Sequence, residues 1–269
     1  MWVEWHKVGF TMRLTEDKND WLTVMAVAVM AMCVVTFDHE ALGHGSVCLA
    51  LHGHILLLSS SLFRCDVRSG WIDPAGPGVN LLMGTLAFVC LRLVPVRRFT
   101  LRLFLVLIAA FSYFWEWGYL IHAMHRGYGD LYFFAEFLLG HVTIWERAMA
   151  IVVGIALYVV TARIIAGELL GLWPYARVAR KVARIAWISA SVAAAVAALA
   201  YRGHGWGDLG DAILEIGGAS FPLLFIPMRA RTVEENHPVA VIARSWATIG
   251  VAAIVYAVFV VTLGRGITS

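Results

Sequence analysis

Apolar residues in this chain run in long unbroken blocks, without the alternation of half-buried strands or the one-in-three spacing of surface helices. The blocks cover about 21 to 52, 74 to 95, 99 to 124, 145 to 166, 182 to 201 and 239 to 263. Each is near the roughly 20 residues that an α-helix needs to cross a bilayer. A seventh stretch, about 209 to 228 (LGDAILEIGGASFPLLFIPM), carries Asp211, Glu215, paired glycines and Pro222, and reads as a broken span or a re-entrant piece. Between the first two blocks, HILLLSSSLFRCDVRSGWID is β-prone and bounded by polar residues. The pattern predicts an all-α polytopic membrane protein of six to seven transmembrane helices, with a short β-prone segment after the first.

Composition agrees. Of 269 residues, 61% are hydrophobic and 14% charged, against about 25% charged in a soluble domain, and the mean hydropathy is +0.77. A net charge of +3, widely dispersed, gives no footing for nucleic acid. The four cysteines, Cys33, Cys48, Cys65 and Cys90, form no CxxC pair, so neither a disulfide framework nor a zinc ribbon is expected. The first twenty residues are polar and mixed in charge, and no removable signal peptide is expected.

The basic residues report orientation. If all seven stretches cross, one side receives Lys7, Arg13, Lys18, Arg92, Arg97, Arg98, Arg102, Arg163, Arg177, Arg180, Lys181, Arg184, Arg229, Arg231 and Arg244, 15 of the 21. By the positive-inside rule that side, and the N-terminus with it, is cytoplasmic. No repeat, low-complexity tract or dividing linker is seen. The expected organisation is a polar segment at 1–20, a core at 21–166 and further helices of the same membrane domain at 167–269, with 167 to 184 as a hinge.

Chemistry concentrates in the first block, which sets Asp38, His39, Glu40 and His44 in one helix at membrane depth, where ionisable residues are expensive and usually functional. Two imidazoles beside a carboxylate suit a metal and a proton acceptor for water on it. In HEALGH, however, His39 and His44 are five apart, roughly 140° around a regular helix. A π-bulge, eased by Gly43, would return them to one face. Alternatively Glu40 and His44, four apart, are the ligand pair of an undistorted helix and His39 stands behind them.

At these residues the chain resembles the site-2-protease-type intramembrane zinc metallopeptidases, whose first core helix bears an HExGH motif close to HEALGH. The run Ala75, Gly76, Pro77, Gly78, Val79, Asn80, Leu81, Leu82 resembles that family's AGPxxNxxL segment. The end of the third span, FSYFWEWGYLIHAMHRGYGDLYFFAEFLLG, resembles the GY...G...GD segment of compact bacterial relatives. The resemblance covers about residues 21 to 166. It implies a membrane-associated hairpin between the first two spans, near the substrate path, and Zn²⁺ held by His39, His44 and Asp130. It implies Glu40 as the catalytic base and Asn80 as a holder of the substrate backbone. Asp130 in Gly-Tyr-Gly-Asp also fits a plain turn with a helix cap.

The expected function is therefore hydrolysis of peptide bonds within or near transmembrane segments of a membrane-protein or peptide substrate, in a multi-pass protein of a bacterial cytoplasmic (inner) membrane. A catalytically silent relative, acting as a membrane binding or assembly subunit, is the first alternative. A His-rich redox or transport protein using His122, His125 and His141 is the second. Glu116, within FSYFWEWGY, is expected to pair with Asp38 or a basic residue. His52 and His54 read as interface residues or an added metal ligand, and Glu136 and His141 as a helix end or, if that segment folds back toward Asp130, as part of the same cavity. His204, Asp208, Asp211 and Glu215 form a rival metal locus that otherwise reads as a solvated loop with helix caps.

Overall fold

The computed structural model describes residues 18–201, 203, 206–225 and 240–268, with backbone alone at 206–208. Among the described residues, six helices are long and apolar enough to cross a membrane: α1 (Trp21–Ala50), α2 (Ala75–Leu93), α3 (Phe99–Arg126), α5 (Ile144–Leu172), α6 (Ala176–Leu199) and α9 (Trp246–Gly264). They fall on the six apolar blocks. Two strands, β1 (Ile55–Leu58) and β2 (Phe63–Cys65), form the antiparallel hairpin between α1 and α2. A short helix α4 (Asp130–Leu139) follows α3.

The seventh stretch is broken. It forms α7 (Trp206–Ala212), a π-helical continuation over Ile213–Gly218, and one turn α8 (Pro222–Phe225). Paired glycines and Pro222 prevent a continuous ladder, so this segment is too short to be a spanning helix by itself.

As far as Phe37, helix α1 is apolar on every side, as suits a helix at the centre of a bundle, and it packs against α2, α3, α6 and α9. Its first turn is fixed by Asp20, whose carboxylate accepts from Thr23 N at 2.9 Å and from Arg244 Nε at 2.8 Å. Burial opposes these bonds, but together they hold the Asp20 carboxyl below its ordinary range. Against α1 lies a row of buried alanines on α6: Ala179, Ala183, Ala186, Ala190 and Ala197. Small side chains let two backbones approach closely where lipid supplies no hydrophobic drive between helices.

One expectation fails. Cys48 and Cys65, 17 residues apart, form a disulfide that ties the end of α1 to β2. Spacing gave no sign of it, because the pair meets only once the hairpin folds back on the helix. Disulfides persist in oxidising compartments. The hairpin is also fastened to the far end of the chain, since Leu58 N donates to Ile267 O at 2.9 Å and Ile267 N to Leu58 O at 2.8 Å.

Candidate metal centre

Helix α1 is regular to Phe37 and then π-helical over Asp38–Gly45. A π turn closes i→i+5 bonds, so residues five apart come round to one face. His39 and His44 do so, with ring centroids 5.0 Å apart. The undistorted helix, on which Glu40 and His44 would have paired, is not the conformation present. Gly43 lets the widened turn press on the start of α2, where a Cβ would stand 2.4 Å from Gly76 Cα.

Each imidazole is oriented through its Nδ1. That of His39 lies 3.1 Å from Glu116 Oε1 on α3, and the ring stacks on Trp115 at 4.6 Å and 5°. That of His44 lies 2.7 Å from Ile72 O, and the ring rests on Phe63 of the hairpin at 5.5 Å. The Ile72 carbonyl can only accept, so His44 carries its proton on Nδ1; the Glu116 carboxylate assigns the same tautomer to His39, with the Asn80 amide, also 3.1 Å from that Nδ1, donating to Glu116 Oε1. Both Nε2 lone pairs are thereby left for a ligand.

They converge on Asp130, the first residue of α4. His44 Nε2 is 3.4 Å and His39 Nε2 3.8 Å from Asp130 Oδ2, and one ligand atom from each of the three lies within 4.8 Å of the others. Tetrahedral ligands about 2.0–2.1 Å from one ion stand about 3.3 Å apart, so the three fit a shared metal with small adjustments. Burial of Asp130 favours its protonated form, but the two imidazoles outweigh it and hold the carboxyl below the usual carboxylate range.

Glu40 is 3% exposed and its Oε2 has no hydrogen-bond partner. An orphaned buried carboxylate oxygen is costly unless a ligand or water meets it. With His39, His44 and Asp130 it lines a cavity of about 1820 Å³.

No family model, no curated protein and no solved structure matches the chain. The functional reading therefore rests on these side chains. A group of two imidazoles and one carboxylate with a free carboxylate beside it suits a catalytic metal.

The structure redistributes several expected roles. Asn80, expected to hold a substrate backbone, is fully buried and absent from the cavity wall. Its amide donates to Glu116 Oε1 at 2.8 Å, behind His39, because α2 faces α3 at this level. Asn80 thus supports the carboxylate that orients His39. Glu116 pairs with His39 and Asn80, and not with Asp38. Partners of this kind fix the tautomer and basicity of a ligating histidine. Glu116→Ala is expected to weaken metal binding about 10–100-fold, measured by zinc titration of the purified protein in detergent.

His122 and Glu136 are exposed on the cavity rim, whereas His125 and His141 are exposed outside it. His52 and His54 sit in the turn after α1, His52 at φ 59°. Asp211 and Glu215, expected as a loop with caps, instead line the cavity wall opposite α1. His204 and the Asp208 side chain lie outside the described residues. Asp73 was missed altogether. It also lines the cavity, and burial, reinforced by the Asp130 charge, pushes its carboxyl up to about 6. Trp115 and Tyr119 were missed too, although WEWGY spaces positions 115, 116 and 119 for one helical face.

Proposed function

We propose that the protein is a membrane-embedded zinc peptidase, similar to the site-2-protease-type enzymes, that hydrolyses peptide bonds within or near transmembrane segments. The observation that carries this reading is the convergence of His39 Nε2, His44 Nε2 and Asp130 Oδ2 beside the unpartnered carboxylate of Glu40. The widened turn also answers the spacing argument for a silent scaffold, since both imidazoles face one point.

His39, His44 and Asp130 would hold Zn²⁺, which supplies a Lewis acid for the scissile carbonyl and makes water acidic enough to attack near neutral pH. Glu40 accepts a proton from the attacking water and returns it to the departing amine nitrogen. Glu116 and Ile72 O keep both imidazoles in the tautomer that leaves Nε2 free. The cavity brings water and an extended substrate to a site otherwise enclosed by apolar helices. The charge distribution, with the Cys48–Cys65 disulfide at the opposite end of α1 from Lys181 and Arg244, supports a cytoplasmic N-terminus and a hairpin on the outer side of a bacterial inner membrane.

Elemental analysis of wild type, His44→Ala and Asp130→Ala purified in detergent tests the centre. The expected result is about one zinc per chain in wild type and loss in both variants. A folded wild type that takes up no zinc overturns the proposal. Iron in its place would favour oxidative over hydrolytic chemistry, since this donor set also serves iron.

A further inference from the structure

Asp130 is the most exposed of the three ligating side chains, at 26% against 3% and 5% for His39 and His44, and the only one outside α1. It begins a short helix after a loop with two left-handed glycines, Gly127 at φ 67° and Gly129 at φ 107°. Such an element has little in its own sequence to hold a carboxylate in place. The cap position, Gly129, has no side chain to satisfy the first N–H groups of α4.

That missing partner comes from α3. Asp130 N donates to Tyr119 Oη at 3.0 Å. The approach depends on glycine, because a Cβ at Gly129 would stand 2.7 Å from Tyr119 Oη, and at this φ a side chain is rarely tolerated. The carboxylate of Asp130 is carried by the residue whose N–H the phenol holds, so the position of the phenol fixes where that side chain starts. Tyr119 thus holds the third ligand through its backbone N–H. It lies on the turn of α3 after Trp115 and Glu116, which hold His39 by stacking and by hydrogen bond.

We propose that Tyr119 is a positioning residue of the metal centre, holding the Asp130 carboxylate with Oδ2 toward the two imidazoles, so that one face of α3, Trp115–Glu116–Tyr119, sets the geometry of ligands from both α1 and α4. This rests on the metal-centre reading above and deepens it. Partners one step behind a ligand typically account for a factor of about 10–100 in metal affinity.

Tyr119→Phe, which keeps the ring and removes only the hydroxyl, is the test. Zinc and cobalt(II) are titrated into metal-free wild type and variant in detergent, and the visible absorption of the cobalt forms is compared. The expected result is a Kd about 10–100-fold higher in the variant, with a changed cobalt spectrum as the carboxylate turns. Thermal unfolding of the metal-free proteins reports separately what the lost bond to Asp130 N costs the fold. Gly129→Ala should weaken binding in the same direction, and by less in the Tyr119→Phe background, where the clash with Oη is gone. A variant Kd within twofold of wild type, with an unchanged cobalt spectrum, overturns the role of Tyr119 and leaves the metal centre standing. A wild type that binds neither metal overturns the centre itself, and the role of Tyr119 with it.

Discussion

Glu40→Gln is expected to lower kcat for cleavage of a membrane-peptide substrate by about 10²–10⁴-fold, with zinc content unchanged. The substitution keeps the size and shape of the side chain and removes only its capacity to take a proton. Glu40 stands outside the group of three converging ligand atoms, so the metal should stay. It is 3% exposed, its Oε2 has no protein partner, and the residue belongs to the cavity wall beside the three ligand atoms. A fall in kcat and kcat/KM together would mark an interaction made in the transition state, whereas a rise in KM alone would mark a binding role. Loss of zinc in Glu40→Gln would instead make Glu40 a ligand, and unchanged hydrolysis would remove it from the chemistry.

The second large effect is at Gly76. Helix α2 meets the widened turn of α1 so closely that a Cβ there would stand 2.4 Å from His44 Nε2 and 2.7 Å from His39 Nε2. A zinc–imidazole bond is about 2.0–2.1 Å. The methyl group of Gly76→Ala would therefore press on both imidazole rings at their Nε2 atoms and force them out of the positions that face Asp130. The expected result is loss of bound zinc to below a tenth of wild type. Gly78→Ala is the control: two residues on, a Cβ meets nothing within 4 Å, and zinc content should not change. Circular dichroism and gel filtration check that both variants fold. Full zinc occupancy in Gly76→Ala would show that the ion does not lie between these imidazoles.

The disulfide marks where reasoning along the chain ran out. Cys48 and Cys65 have no spacing that speaks for a bond, and their pairing depends on a hairpin folding back over the end of α1. Glu116 shows the same limit. Its partner had to be polar at that depth, but whether Asp38, a basic residue or His39 lay opposite was decided by how α2 and α3 meet α1. Asn80 went the same way: an amide in an apolar helix must find partners, and it found Glu116, away from the cavity.

By itself, the sequence determined the helical membrane architecture, because runs of about 20 apolar residues satisfy their backbone in lipid only as helices. It also determined which residues of the first span could carry chemistry, because His39, Glu40 and His44 are costly at such depth without a task. Tertiary structure alone decided that these residues meet. The five-residue spacing of the histidines became a shared face only through the π turn, which Gly43 and Gly76 accommodate where α1 and α2 touch. Likewise Asp211 and Glu215, far along the chain, joined the same cavity because α7 and its continuation fold back toward α3 and α6. Local preferences are read from neighbours in sequence, whereas a ligand set is a property of distances between helices.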